Sequence, residues 1–135
     1  MSKLVFIIDD DQVYLQFMQN HFNQMEGYTV EVYRNGKAAL QQLESKNPFM
    51  VILDHHLNDP TGDGLHYLTL IKKQKPSLPV LYITSDDTDE LKKEVLKAGA
   101  QSLIVKSDSF LVQLRTAIDE IKTRKKGFFG KLFGS

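Results

Sequence analysis

Leu4-Val5-Phe6-Ile7-Ile8-Asp9-Asp10-Asp11 decides the fold: an unbroken apolar run stops abruptly at three acids. A second run, Met50-Val51-Ile52-Leu53, stops in the same way at Asp54. Runs this short and this apolar are the mark of parallel strands covered on both faces. Carboxylates at the ends of such strands repel one another. At ~4 Å and an effective dielectric near 20, each pair costs roughly 4 kcal/mol. A cation should offset that repulsion, and a hard divalent ion with oxygen ligands fits best.

Outward from these two runs, strand-like and helical patterns alternate along the whole chain. Strands are expected at 3–8, 28–33, 49–53, 79–84 and 102–106. Tyr28-Thr29-Val30-Glu31-Val32-Tyr33 alternates in polarity, which suits an edge strand. Helical spacing appears in Tyr14, Met18, Phe22 and Met25, and in Ala39, Leu40 and Leu43. It recurs in Leu65, Leu68 and Ile71, in Leu91, Val95 and Leu96, and in Leu111, Leu114, Ile118 and Ile121. Gly27, Asn35-Gly36, Asn47-Pro48, Pro76 with Pro79, and Gly99 mark the turns. Asp11, Asp87 and Asp108 stand where helix caps are needed. The pattern is (βα)₅, with a parallel sheet between two layers of helices and a site at the carboxyl ends of the strands.

The 135 residues suit one domain with one core, and 41% hydrophobic with 25% charged residues is a globular composition. The absence of Cys excludes disulfides and thiolate metal sites and fits a reducing compartment. Neither a signal peptide nor a membrane-spanning run is visible, so a cytoplasmic location is expected. Charge is uneven. Residues 1–121 hold 12 Lys+Arg against 17 Asp+Glu, net −5, and residues 122–135 hold five Lys+Arg and no acid. No basic stripe with interleaved aromatics supports direct nucleic-acid binding.

The topology brings Asp9, Asp10, Asp54, Thr84 and Lys106 to one rim, since each ends a strand. An acidic pocket, a hydroxyl and an amine delivered by four separate strands make a site that no single residue would make.

In these elements the chain resembles the receiver domain of two-component response regulators. The likeness rests on Phe6-Ile7-Ile8-Asp9-Asp10-Asp11, Val51-Ile52-Leu53-Asp54, Pro79-Val80-Leu81-Tyr82-Ile83-Thr84-Ser85, Ala98-Gly99-Ala100 and Leu103-Ile104-Val105-Lys106, and covers residues 3–121. The resemblance implies a flavodoxin-like (βα)₅ three-layer sandwich with strand order 2-1-3-4-5. It implies that Asp54 accepts a phosphoryl group from a histidine of a sensor histidine kinase or a phosphotransfer protein, in a Mg²⁺-dependent reaction. Asp9, Asp10, Asp54 and the backbone carbonyl of His56 would hold the Mg²⁺. Thr84 and Lys106 would bind phosphoryl oxygens, Lys106 pairing with Asp54 beforehand, and Ser85 would leave an access path.

On this reading residues 1–123 are the receiver domain and 124–135 a basic, aromatic tail. The domain stands alone as a phosphorylation-controlled switch rather than an enzyme, because no separate substrate is turned over. Its downstream protein would bind the face of helix four, strand five and helix five (88–98, 102–106 and 109–122), where homodimers also form in the family. The alternatives are a relay intermediate that passes the phosphoryl group to a phosphotransfer histidine protein, and a phosphorylation-independent scaffold working through the tail. Phe128, Phe129, Leu132 and Phe133 would share one helical face and dock on an anionic membrane or a partner groove, although Gly127 and Gly130 disfavour a helix there.

Four departures from the family pattern stand out. Ser107 follows Lys106 in place of a cis proline, so this bond should be trans and Lys106 less rigidly held. Leu103 replaces a commonly aromatic residue. The segment 57–64 is about two residues longer than the common loop. His56 and Asp86 occupy positions that modulate phosphate lifetime in the family. Asp54-His55-His56 also spells the DHH phosphoesterase signature, but the further ligands and length of those enzymes are missing. A dehalogenase-type phosphatase would need an acid where His56 stands. Acids after the first strand would repel a flavin phosphate.

Overall fold

The computed structural model describes the backbone of residues 2–132 and the side chains of residues 2–125. Five strands, β1 (Lys3–Ile8), β2 (Tyr28–Tyr33), β3 (Met50–Asp54), β4 (Val80–Thr84) and β5 (Ser102–Val105), alternate with five helices. These are α1 (Gln12–Asn23), α2 (Gly36–Leu43), α3 (Gly64–Gln74), α4 (Asp89–Lys97) and α5 (Phe110–Leu132). All ladders are parallel and the strand order is β2-β1-β3-β4-β5. The alternating 28–33 segment is an edge strand, and β1, β3 and β4, the nearly all-apolar runs, fill the centre.

Strand alternation divides the core between the two faces. Val5, Ile7, Ile52, Leu81 and Ile83 pack on α1 and α5 through Leu15, Met18, Phe22, Leu114 and Ile118. Phe6, Ile8, Leu53, Val80 and Tyr82 face α2, α3 and α4 through Ala39, Leu43, Leu68, Ile71, Leu91 and Val95. The strand bounds differ from the sequence reading by a residue or so. Leu96, although at helical spacing, is 41% exposed, because α4 covers the sheet with Leu91 and Val95.

Helix starts follow local hydrogen bonding. Asp11 Oδ1 accepts from the Val13 and Tyr14 N–H groups and so caps α1. Asp63 caps α3 by accepting from His66 N. α4 is capped by Thr88, whose hydroxyl accepts from Leu91 N, rather than by Asp87. Asp89 and Glu90 then lie in its first turn, where the helix dipole favours acids. At the end of α4, Gly99 has φ +109, a conformation open to glycine at little cost.

α5 continues as one helix to Leu132, across the expected boundary at 123/124 and past Gly127 and Gly130. Once Leu114, Ile118 and Ile121 are anchored in the core, lengthening a helix costs far less than starting one. The side chains on which tail docking would depend, from Lys126 onward, lie outside the described residues.

Candidate functional site

Asp9, Asp54 and Thr84 are the buried polar side chains among the described residues, and all three lie at the carboxyl ends of central strands. β1 delivers Asp9, β3 ends on Asp54, and β4 ends on Thr84. Lys106 follows β5, its backbone N–H donating to Thr84 O at 2.7 Å. Side-chain oxygens of Asp9, Asp10 and Asp54 gather within 4.8 Å of one another. The Lys106 ammonium reaches into this group, 3.2 Å from Asp54 Oδ1 and 3.5 Å from Asp9 Oδ2.

One lysine among three carboxylates leaves a formal charge of −2 in a region with little water. Burial, reinforced by the Asp54 charge, pushes the Asp9 carboxyl up to about 7. Burial likewise raises Asp54, against the pull of Lys106. For Lys106 burial works the other way, but the charges of Asp54 and Asp9 outweigh it and hold the ammonium above its ordinary range. Asp54 Oδ1 is buried without an aligned hydrogen-bond donor, even with Lys106 nearby.

These features fit a divalent cation. The donors are hard oxygens, one of them is orphaned, and their spacing is close to the ~4 Å spanned by opposite ligands of octahedral Mg²⁺. Asp10 is already drawn toward the site, since its Oδ2 accepts from Asn58 N at 2.7 Å. His56 lies two residues beyond β3 with its side chain exposed.

Lys106 has a contact on its other side that the sequence did not announce. No cis peptide occurs among the described residues, so the Lys106–Ser107 bond is trans. The ammonium also lies 4.3 Å from the centre of the Tyr14 ring. A cation over an aromatic face gains roughly 0.5–2 kcal/mol. Tyr14 is placed there by the first turn of α1, which Asp11 starts, and it packs edge-on against Phe110. The sequence reading counted Tyr14 only as a core residue. It is half-buried, one side of its ring on the core and the other on the lysine.

Thr84 Oγ1 accepts from Asp86 N at 2.9 Å, which leaves the hydroxyl proton to donate elsewhere. Ser85 and Asp86 are exposed beside it. Leu103 is half-buried and packs on the α3/α4 side of the core.

The long 57–64 segment is tied down at several points. Leu57 is buried in the core. Asp59 accepts from the Tyr67 hydroxyl and from Thr61 N. Gly64 then approaches β3 so closely that a Cβ there would stand 2.3 Å from Asp54 O. Only a residue without a side chain fits. Immediately after Asp54, the half-buried His55 meets the hydroxyl of Tyr82 through Nδ1. Burial keeps the His55 imidazole below its ordinary range and pushes the Tyr82 hydroxyl well above its own, so both are neutral when they meet. Nothing in the spacing of the sequence announced this pair.

The family model described as "Response regulator receiver domain" matches residues 5–119. Among curated proteins, the chain is 37% identical over 102 residues to the transcriptional regulatory protein BasR of Escherichia coli (strain K12), covering 76% of this chain and 45% of that protein. It is 32% identical over 130 residues to a putative response regulator, NtrX-like, of Rickettsia felis, covering 93% of this chain and 27% of that protein. The chain thus spans less than half the length of these relatives. Among solved structures, it superposes on the Francisella response regulator 1452 receiver domain with a TM-score of 0.79 and 27% identity, covering 91% of this chain and 99% of the other. It shares its fold with a CheY-like receiver domain protein from Methanospirillum hungatei JF-1, with a TM-score of 0.81 and 24% identity, over 94% of this chain and 99% of that one.

Proposed function

The chain belongs to the response regulator receiver domain family, and from that premise we propose that it is a phosphorylation-controlled switch with Asp54 as the phosphoacceptor. One observation carries the reading: Asp54 is buried among like charges yet held 3.2 Å from the Lys106 ammonium. A carboxylate in that position is nucleophilic and already faces the cation that will be needed once charge arrives.

An Asp54 oxygen attacks the phosphorus of a phosphohistidine on the partner. The O–P bond forms as the P–N bond breaks, and the electron pair returns to the leaving imidazole nitrogen. Lys106 then turns from the carboxylate to a phosphoryl oxygen, and the Thr84 hydroxyl donates to another. Asp9, Asp10, Asp54 and the His56 carbonyl would hold Mg²⁺, which would supply positive charge against both the acids and the transferring group.

The phosphodonor must reach this rim, and exposed apolar side chains flank it. Val13 is 75% exposed, Phe17 44% and Val112 70%, on α1 and the start of α5, the elements that carry Tyr14 and Phe110. They suit a helix of a histidine-bearing partner. Phosphorylation would then bias the face of α4, β5 and α5 toward its downstream protein.

The test is incubation with a labelled phosphohistidine kinase or phosphotransfer protein in Mg²⁺. The reading expects label to pass to the chain and not to Asp54→Asn. Rapid return of label to the donor would mark a relay intermediate instead. Equal labelling of both proteins would place the acceptor elsewhere.

A further inference from the structure

We propose that His55 and Tyr82 form a positioning pair, which holds the end of β3 so that Asp54 meets the incoming phosphorus in line. This deepens, and rests on, the assignment of Asp54 as phosphoacceptor.

Tyr82 is fully buried in the middle of β4, among Leu53, Leu68, Leu91 and Val95. A phenylalanine would fill that space without taking a hydroxyl out of water, which is costly unless the hydroxyl is paired. The hydroxyl has one partner among the described hydrogen bonds, Nδ1 of His55 at 2.5 Å. In the ladders Tyr82 stands beside Leu53 on one side and Leu103 on the other. The tyrosine therefore reaches from below to the residue that directly follows the acceptor.

Residue 55 is held at its backbone as well. Its N–H donates to Ile83 O at 2.8 Å, and its carbonyl accepts from Gly64 N at 2.9 Å. Gly64 also closes on the Asp54 carbonyl and the His55 Cα, with Tyr82 OH at the same point. The N–H and carbonyl of His55 are thus held by backbone partners, and the His55 ring adds a side-chain tether to Tyr82. Releasing it leaves the backbone bonds in place but loosens the residue that directly follows Asp54, and with it the aim of the carboxylate. In-line transfer is sensitive to such aim, since a misplacement of ~1 Å can cost about 10²-fold in rate.

Tyr82→Phe removes only the hydroxyl. Modification by acetyl phosphate at saturating Mg²⁺ should slow about tenfold, while Mg²⁺ affinity falls less, by about threefold or under, because Asp9 and Asp10 keep their places and only Asp54 is re-aimed. His55→Leu should slow the reaction equally, and the double variant no further, as expected of two residues acting through one bond. His55→Asn offers an amide oxygen close to where Nδ1 stood and should recover most of the wild-type rate. Melting temperatures taken alongside separate aim from stability: a purely structural role would lower them in both single variants and leave the rates alone. A Tyr82→Phe rate within about twofold of wild type, or losses that multiply in the double variant, would overturn the positioning role. A wild-type chain that takes no phosphoryl group at all would overturn the Asp54 assignment, and this inference with it.

Discussion

At the amino ends of the strands the cations that cap the core meet neutral oxygens, whereas at the carboxyl ends three carboxylates share one lysine. Lys72 Nζ donates to Leu78 O at 2.7 Å, Lys125 Nζ to Phe49 O at 3.2 Å, and the Arg124 guanidinium to Gln101 Oε1. Lys125 also covers the Phe49 ring at 4.2 Å. Those contacts close the lower end of the core with neutral partners, and the buried atoms left unpaired there, the Tyr28 hydroxyl and Ser102 Oγ, are neutral too. The upper end holds excess negative charge, a raised carboxyl and an orphaned oxygen. The difference is one of charge: among the described residues only the carboxyl ends gather buried carboxylates in excess of cations, and that demand for a cation marks the site more clearly than any single residue does.

Lys106→Ala strains that contrast most. Phosphoryl transfer from acetyl phosphate should fall at least ~100-fold, the usual loss when one preorganised donor to developing charge is removed. Unchanged kinetics would mean that the ammonium serves only to balance the acids.

The next effect concerns pH. Mg²⁺ must displace the proton that burial keeps on Asp9 up to about 7. Its affinity should therefore rise roughly tenfold from pH 6 to pH 8, with about one proton released per ion at the lower pH. Calorimetry in buffers of different ionisation enthalpy measures both. A pH-independent affinity would remove Asp9 from the ligand set.

Stability without metal tests the same charge from the other side. Between pH 4 and 7 the folded chain binds more protons at Asp9 than the unfolded chain does, so this group makes stability fall as pH rises. His21 and His55, both lowered mainly by burial, act in the opposite sense near pH 6. Comparing wild type with Asp9→Asn cancels what they share. The variant should melt ~3 °C higher at pH 8 in EDTA, equivalent to about 1 kcal/mol, with the gap closing toward pH 4.

Lys125→Met, at the quiet end, is the smallest change: under ~1 kcal/mol of stability, and no change in Mg²⁺ affinity or phosphoryl transfer. A large effect on transfer would show that the two ends are coupled.

The sheet was legible because each central strand is announced by its own apolar run, and the rim because those runs end on Asp9, Asp54, Thr84 and Lys106. The helix-capping role of Asp11 was equally local. What escaped were contacts set by side-chain direction across separate elements. Tyr14 lies on Lys106 only once α1 is docked beside Phe110 of α5, and His55, just past β3, is 27 residues from Tyr82 in β4. Leu96 was misplaced because helical spacing admits more residues to a buried stripe than a short helix covers. The trans Lys106–Ser107 bond was foreseen, whereas the contact of Lys106 with Tyr14 was not, because it joins separate elements.

The most direct test is intact-mass spectrometry of wild type and Asp54→Asn after incubation with acetyl phosphate, in Mg²⁺ and in EDTA. A single phosphoryl adduct on the wild type, present in Mg²⁺, absent in EDTA and absent from Asp54→Asn, is the predicted result. An adduct that survives EDTA or the substitution, or a folded, Mg²⁺-bound wild type that stays unmodified, would contradict the account.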